Sequence, residues 1–353
     1  MSQERKVITN LTKTSSYDYD LPKELIAQDP AEPRDSSRLL VISRNGEKVS
    51  HDIFRNIGVY LRPGDLLVLN DTRVLPARLY GRKKDGGAGV EIFVLQPLSS
   101  HDWSALVKPG RKLKPGSVAV LNDKIEIMVG ERLEDGLRRI TFSQEDDPLS
   151  IIHEYGTIPL PHYITRTHAD AERYQTVYAR IDKENSVAAP TAGLHFTADL
   201  LSKLRDNGIK TTFVTLRVWL GTFRPVKAED ISDHIMHTEL CEINNETAEL
   251  IRKTKDTGNR VIAVGTTVVR TLESFARESG VITPGIMNTK LFIYPGFNFK
   301  VIDGLITNFH LPKSTLLMLV SAFGGYETMM KAYKTAVEEK YRFFSFGDSM
   351  FII

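Results

Sequence analysis

From about Leu66 to Phe142, short runs of β-type residues recur: LLVLN, VLPARLYG, GVEIFVLQPL, WSALV, SVAVLN, IEIMVG and RRITF. The turn clusters KKDGGAG, KPGRKLKPG and LEDG separate them, placing Gly, Pro and Asp where the chain has to reverse. No helix of useful length fits between these runs, and six or seven strands at this spacing predict a small barrel or sandwich. After about residue 151 the texture alternates instead. A strand over Ser186–Ala189 leads through the small-residue turn Pro190-Thr191-Ala192-Gly193 to a helix over Ala198–Asp206, capped by Thr197 and stopped at Gly208.

The alternation continues with a strand over Lys210–Val218 and a helix near Thr247–Lys255 ending at Gly258. A strand over Arg260–Val264 follows, and Gly265-Thr266-Thr267 opens a helix running to about Arg277. Strand-like FIYPGF, VIDGLITNF and FFSFGDSMFII, with helices from about Thr315 and Glu327, complete the chain. Strands alternating with helices predict an α/β layer, and the tight returns near the end predict a mixed rather than all-parallel sheet. The expected organisation is a discontinuous α/β domain of residues 1–60 and 151–353, interrupted by a β-barrel domain of residues 61–150. Residues 1 to about 16 read as a loose polar lead-in. Tyr17-Asp18-Tyr19 reads as an extended piece, Pro22 as a helix start, and DPAEPRDSSR as a solvated turn.

Composition adds boundaries more than direction. The chain has 353 residues, 41% hydrophobic and 25% charged, enough for two ordinary domains with their own cores. Its single cysteine, Cys241, rules out an intramolecular disulfide or a multi-cysteine zinc site. The charged start MSQERKVITN does not read as a secretion signal, and the apolar run Leu316–Phe323 is far short of the roughly 20 residues of a spanning helix. A soluble, unsecreted protein is expected, and the single cysteine fits a reducing cytoplasm while remaining compatible with other compartments. A net charge of +2 gives no pointer to nucleic acid, although basic residues can still gather on one face.

Candidate chemistry concentrates at strand-to-helix junctions, the ligand-facing edge of an α/β sheet. In Pro190–Phe196, free backbone N–H groups can hold an electron-rich atom, Gly193 permits close approach, and His195 can move a proton near neutral pH. The alternative is a tight turn with a packed histidine. Gly265-Thr266-Thr267 occupies the same kind of junction, but it lacks both the dinucleotide fingerprint and the P-loop pattern, so plain helix capping competes. Gly221–Val226 reads as a loop leaving a strand. The pair His234 and His237 lacks the spacing and the partners of a zinc motif, so no metal is assigned. Asn70–Arg73 with Arg78, the run Arg82-Lys83-Lys84, and the cluster Lys108, Arg111, Lys112 and Lys114 either contact phosphates or are ordinary solvated turns.

An ordered set of strings then resembles the S-adenosylmethionine:tRNA ribosyltransferase-isomerase family. They are YDYDLPKELIAQDPAEPRDSSRLLV, NDTRVLPARLYGRK, GTIPLPHYI, ERYQTVYA, SVAAPTAGLHFT, GTFRPV, VIAVGTTVVRTLES, YPGFNFKVIDGLITNFHLPKSTLLMLVSAF and FFSFGDSMFI, spanning Tyr17 to the C-terminus. The resemblance implies a monomeric, cytoplasmic enzyme of queuosine synthesis. It would transfer and isomerise the ribosyl part of S-adenosylmethionine onto 7-aminomethyl-7-deazaguanine in tRNA, giving epoxyqueuosine, adenine and methionine. S-adenosylmethionine is then a consumed substrate, and neither metal nor resident cofactor is expected.

On that reading His195 transfers the proton, and the backbone from Thr191 to Gly193 orients S-adenosylmethionine. Thr266, Thr267 and Arg270 hold its polar end, while Thr222, Arg224, His310 and Lys313 add substrate contacts. Asp71, Arg73 and Arg78 bind RNA or bridge the domains. Three positions depart from the family pattern, with Arg217 in place of histidine and Trp219 and Asn185 in place of glycine. Arg217 and Trp219 motivate one alternative, a relative that binds tRNA or S-adenosylmethionine without turnover, and a further alternative is a transferase with another acceptor.

Overall fold

The computed structural model describes residues 10–44, 46, 48–143, 145, 147–218 and 226–353. Strand β1 (Arg38–Ile42) pairs antiparallel with β2 (Val49–Ile53), and β3 (Leu66–Asn70) and the short β4 (Arg73–Val74) follow. Next come β5 (Arg78–Lys83), β6 (Gly89–Pro97), β7 (Asp102–Lys108), β8 (Val118–Leu121), β9 (Ile125–Arg132) and β10 (Arg138–Phe142). These six close a barrel in the order β10-β7-β6-β5-β8-β9, and β10 pairs β9 to complete it.

The chain continues through α1 (Pro148–Tyr155), β11 (Glu184–Ser186), α2 (Ala198–Asp206), β12 (Lys210–Leu216), β13 (Glu239–Ile243) and α3 (Asn245–Asp256). It ends with β14 (Val261–Val264), α4 (Thr266–Phe275), β15 (Gly285–Thr289), β16 (Gly304–Asn308), α5 (Thr315–Gly324), α6 (Tyr326–Glu338) and β17 (Ser349–Ile352). Nine strands make one mixed sheet in the order β15-β13-β12-β3-β14-β16-β17-β1-β2, with β12, β3, β14 and β16 parallel at its centre. The expected α/β domain with a small β-barrel is therefore present.

The boundary needs correction. LLVLN, expected as the first strand of an insertion at residues 61–150, is β3 at the middle of the large sheet. Every residue of β3 is buried, because a central parallel strand is covered on both faces and reads as an unbroken apolar run. At the other end, Ile151 and Ile152 of α1 belong to the barrel core, so that side reaches past residue 150. Two expected strands also differ. Ser186–Ala189 is strand only to Ser186 and then enters a 3-10 turn at Thr191–His195, and FIYPGF is not a strand.

The alternation of side chains builds two cores on the large sheet. Leu66, Val68, Val261 and Ala263 face one layer, while Leu67, Leu69, Ile262 and Val264 face the other. Helix α2 follows from its sequence. The Thr197 hydroxyl accepts from the Leu200 N–H at 3.1 Å, Leu200, Leu201 and Leu204 are buried, and Gly208 ends the helix region at φ 78°. Among the described residues no helix is long and apolar enough to cross a membrane.

Candidate active site

The carboxyl ends of β3, β12, β14 and β16 converge on one edge, where the chain leaves the strands at Asn70, Val218, Gly265 and Asn308. A cleft of about 680 Å³ opens there. Its wall includes Pro190, Thr191, Ala192, Val218, Gly265, Thr266, Thr267, Thr307, Asn308, Phe309 and His310, with Tyr163, Phe344 and Ser345 closing another side. None of the described lining residues is an acid, a lysine or an arginine, so the wall works through dipoles, hydroxyls and rings.

Asn308 organises this wall. Its Nδ2 donates to the Phe344 carbonyl at 3.1 Å, and its Oδ1 accepts from the Thr191 hydroxyl at 3.0 Å, which together fix the orientation of the amide. The second Nδ2 hydrogen then points to His195 Nε2 at 3.1 Å. That nitrogen must carry the lone pair, so the proton sits on Nδ1 and is donated to Ser37 Oγ at 2.8 Å. His195 is 4% exposed and stacks against Phe54, with ring centroids 5.1 Å apart. Burial, reinforced by the positive charges of Arg342 and Arg34, holds its pKa down to about 3. The expected proton carrier thus has both nitrogens engaged, is absent from the cleft lining, and among the described residues hydrogen-bonds to the cleft through Asn308.

His310 is the histidine that lines the cleft. Its Nε2 lies 3.0 Å from the Thr307 hydroxyl, and its Nδ1 has no hydrogen-bond partner among the described residues. Its backbone is fixed on both sides, the N–H donating to Tyr333 Oη at 2.9 Å and the carbonyl accepting from Tyr19 Oη at 2.5 Å. Burial also keeps this imidazole neutral, with a pKa near 3.

The other expected site residues divide. Thr191, Thr266 and Thr267 line the cleft. Gly265, at φ 98°, turns the chain so that α4 begins with its first N–H groups at the cleft, and Asn70 Nδ2 reaches Thr267 Oγ1 at 3.5 Å. Gly193 does not line the cleft. Its N–H donates to the Pro190 carbonyl at 2.8 Å, and an added Cβ would meet Tyr178 Oη at 1.9 Å, so the glycine is there for close packing rather than ligand approach. Arg270 is buried one turn farther along α4, facing a second cavity of about 450 Å³, with its guanidinium paired to Glu239 and bonded to the Leu291 carbonyl. Lys313 is tied to Asp18 at 2.7 Å outside the cleft lining. Thr222 and Arg224 lie outside the described residues.

Asp71, Arg73 and Arg78 sit where the sheet passes into the barrel. Asp71 accepts from the Thr215 hydroxyl at 2.7 Å, and burial raises its pKa. Arg73 pairs with Glu172 at 2.8 Å and Glu184 at 3.3 Å, joining β4 to the β11 region. Arg78 lies 3.7 Å from Glu91 and exchanges backbone hydrogen bonds with Thr157. The two arginines thus face carboxylates, while Asp71 faces the Arg180 guanidinium at 4.0 Å. Of the departures, Val218 rather than Arg217 lines the cleft. Burial lowers the Arg217 pKa while Glu242 opposes that shift, and Trp219 lies outside the described residues. Tyr163, Phe344 and Ser345 are among the cleft residues that sequence reasoning did not assign, although they lie inside the matching strings GTIPLPHYI and FFSFGDSMFI.

The family model described as queuosine biosynthesis protein matches residues 14–352. The S-adenosylmethionine:tRNA ribosyltransferase-isomerase of Thermoanaerobacter sp. is 52% identical over 97% of this chain and 100% of its own length. The enzyme of that name from Halothermothrix orenii matches to the same extent. The crystal structure of the Thermotoga maritima S-adenosylmethionine tRNA ribosyltransferase aligns with a TM-score of 0.55 and 42% identity, over 96% of this chain and 100% of that one. With the mixed sheet, the barrel and the cleft in place, the chain belongs to the S-adenosylmethionine:tRNA ribosyltransferase-isomerase family, the transferase-isomerases of queuosine biosynthesis.

Proposed function

We propose that this enzyme transfers and isomerises the ribosyl moiety of S-adenosylmethionine onto 7-aminomethyl-7-deazaguanine in tRNA. The products are epoxyqueuosine in the RNA, adenine and methionine. The observation that carries the reading is the 52% identity to enzymes named for this reaction over nearly the whole chain. S-adenosylmethionine enters as a substrate and is consumed, so the reaction needs neither metal nor resident cofactor. The protein works as a cytoplasmic monomer.

The cleft supports a division of labour. The free N–H groups at the start of α4, with the Thr266 and Thr267 hydroxyls, receive the carboxylate of the methionyl end. Tyr163, Phe309 and Phe344 offer ring faces to adenine and to the sulfonium. His310, the histidine that lines the cleft with Nδ1 unengaged among the described residues, takes the proton from the carbon beside the sulfonium. The burial that keeps it neutral makes the imidazolium costly, so the proton passes on to the departing adenine. The aminomethyl nitrogen, held close by the RNA, then bonds to the opened sugar and gives one proton to solvent, and the carbon–sulfur bond breaks as the sugar carbons close into the epoxycyclopentane and release methionine. His195 is a positioning residue that fixes Asn308 and, through it, Thr191. Thr222 and Arg224 are assigned to the same substrate, and Asp71, Arg73 and Arg78 to the link between sheet and barrel.

A mass-spectrometric turnover assay tests the whole reading. Purified protein, S-adenosylmethionine and an anticodon stem-loop carrying 7-aminomethyl-7-deazaguanine should yield adenine, methionine and an epoxyqueuosine nucleoside together. Adenine release without RNA product would point to another acceptor. Saturable RNA binding with no adenine would point to a binding-only protein.

A further inference from the structure

Behind the cleft wall lies a smaller pocket of about 240 Å³, formed by the loop expected to be a solvated turn. Arg34 and Arg173 line it with Ser37, His195, Ser345 and Gly347 among others. Among the described residues Arg34 makes no ion pair. Its Nη1 donates to the Gln175 carbonyl at 2.8 Å and to that of Leu194 at 3.5 Å, and its Nη2 donates to the Glu172 carbonyl at 3.3 Å. A guanidinium has five N–H groups in a planar fork, so Arg34 keeps donors to spare. Arg173 donates to the Ala31 carbonyl at 2.7 Å, and its buried Nε has no partner among the described residues. Its carboxylate partner among the described residues, Glu32 at 2.7 Å, is 76% exposed, and water screens such a pair strongly. Burial and the like charge of Arg173 both press against the Arg34 guanidinium, and the exposed carboxylates of Glu32 and Glu172 oppose them. Two guanidinia placed together with this little compensation are stabilised by an anion between them, and their forks match the oxygens of a phosphate.

The pocket shares Ser345 with the cleft, and His195, which lines the pocket, bonds to Asn308 on the cleft side. We propose that Arg34 and Arg173 bind a backbone phosphate of the RNA substrate next to the nucleotide being modified, seating the RNA against the rear of the cleft wall. This rests on the reading of the protein as a tRNA-modifying enzyme and names the contact that places the tRNA.

The test is a scan of the anticodon stem-loop in which each loop phosphate in turn is replaced by an uncharged methylphosphonate. Binding to the wild-type enzyme is measured for every position. One position should weaken binding by about tenfold or more, the usual size of a lost hydrogen bond to a charged group. In the Arg34→Gln and Arg173→Gln variants the unmodified stem-loop should bind more weakly, and the penalty at that one position should disappear. The slope of log affinity against log salt should also flatten by about 0.7, the contribution of one contact to a single strand. The affinity for S-adenosylmethionine should stay within about twofold of wild type, because neither arginine lines its cleft. A scan with no sensitive position, or a penalty that persists undiminished in both variants, overturns the proposal while leaving the transferase reading intact. Failure of the wild-type enzyme to bind any stem-loop overturns both.

Discussion

The barrel and the carboxyl edge of the large sheet are both well buried, yet their interiors are built on opposite terms. Between Arg78 and Phe142 the one buried polar side chain among the described residues is Ser104, and the rest of the barrel core is aliphatic or aromatic. The sheet edge buries Asn70, Asp71, Thr72, His195, Thr266, Thr267, Thr307, Asn308 and His310 within a short distance of one cleft. Burying an amide or an imidazole costs free energy unless its hydrogen bonds are met, and here the Asn308 network meets them with a defined amide orientation and a defined histidine tautomer. Apolar packing is enough to hold the barrel together. The polar edge carries a cost in stability that the reaction explains.

The sharpest way to break this comparison is to remove one group from each side. His310→Ala should lower kcat by about 10²- to 10⁴-fold, the range for losing a positioned acid-base group, while S-adenosylmethionine still binds. Ile140→Val in the barrel should leave turnover unchanged and cost about 1 kcal/mol of stability. Single-turnover adenine release and denaturant titration read the two quantities. A His310→Ala enzyme with near-normal kcat would move the proton transfer elsewhere in the cleft.

Gly193 gives the next largest effect and joins the two themes, since it is a packing requirement inside the chemical edge. An added methyl group would fall 1.9 Å from Tyr178 Oη and 2.9 Å from both Tyr178 Cζ and Thr176 Cγ2. Gly193→Ala should therefore destabilise the protein by about 3 kcal/mol, the upper part of the overpacking range. Because the nearest atom is a hydroxyl oxygen, Tyr178→Phe in the same chain should recover part of that loss. Urea midpoints of the two single variants and the double variant decide it, and strict additivity would show that the strain lies elsewhere.

Sequence patterns reach the elements more readily than the site. Thr197, Gly208 and Gly258 punctuate helices through local chemistry, so α2 and α3 were legible from their own residues. β3 was legible as a strand but not as a member of the large sheet, because its pairing with β12 and β14 joins segments more than a hundred residues apart. The two histidines show the same limit at the scale of a side chain. His195 and His310 each follow a strand and both look able to carry protons. What separates them is that Ser37 and Asn308, far away in the chain, occupy both nitrogens of His195 and leave Nδ1 of His310 without a partner. Arg34 escaped for a related reason, since a loop of mixed charge looks solvated until its partners prove to be backbone carbonyls.

A further effect is the dependence of stability on pH, and it follows from the same two rings. His195 and His310 are neutral in the folded state with pKa values near 3, against about 6.5 in an unfolded chain. Below pH 6.5 the unfolded state binds protons that the folded state refuses, so stability falls as the pH drops. Their contribution is complete above about pH 6.5 and is lost progressively toward pH 3, amounting to about 2 kcal/mol for each histidine at pH 5. Asp71 and Glu273, whose carboxyls burial pushes upward, act with the opposite sign, so the whole curve cannot isolate the histidines. The informative quantity is the pH 7 to pH 5 stability difference of wild type minus that of His195→Gln, in which the glutamine carbonyl can still accept from Asn308. That difference should be close to one histidine's share, read from denaturant titrations at the two pH values. A difference near zero would mean that His195 accepts a proton in the folded state, which would return it to the list of groups able to carry one.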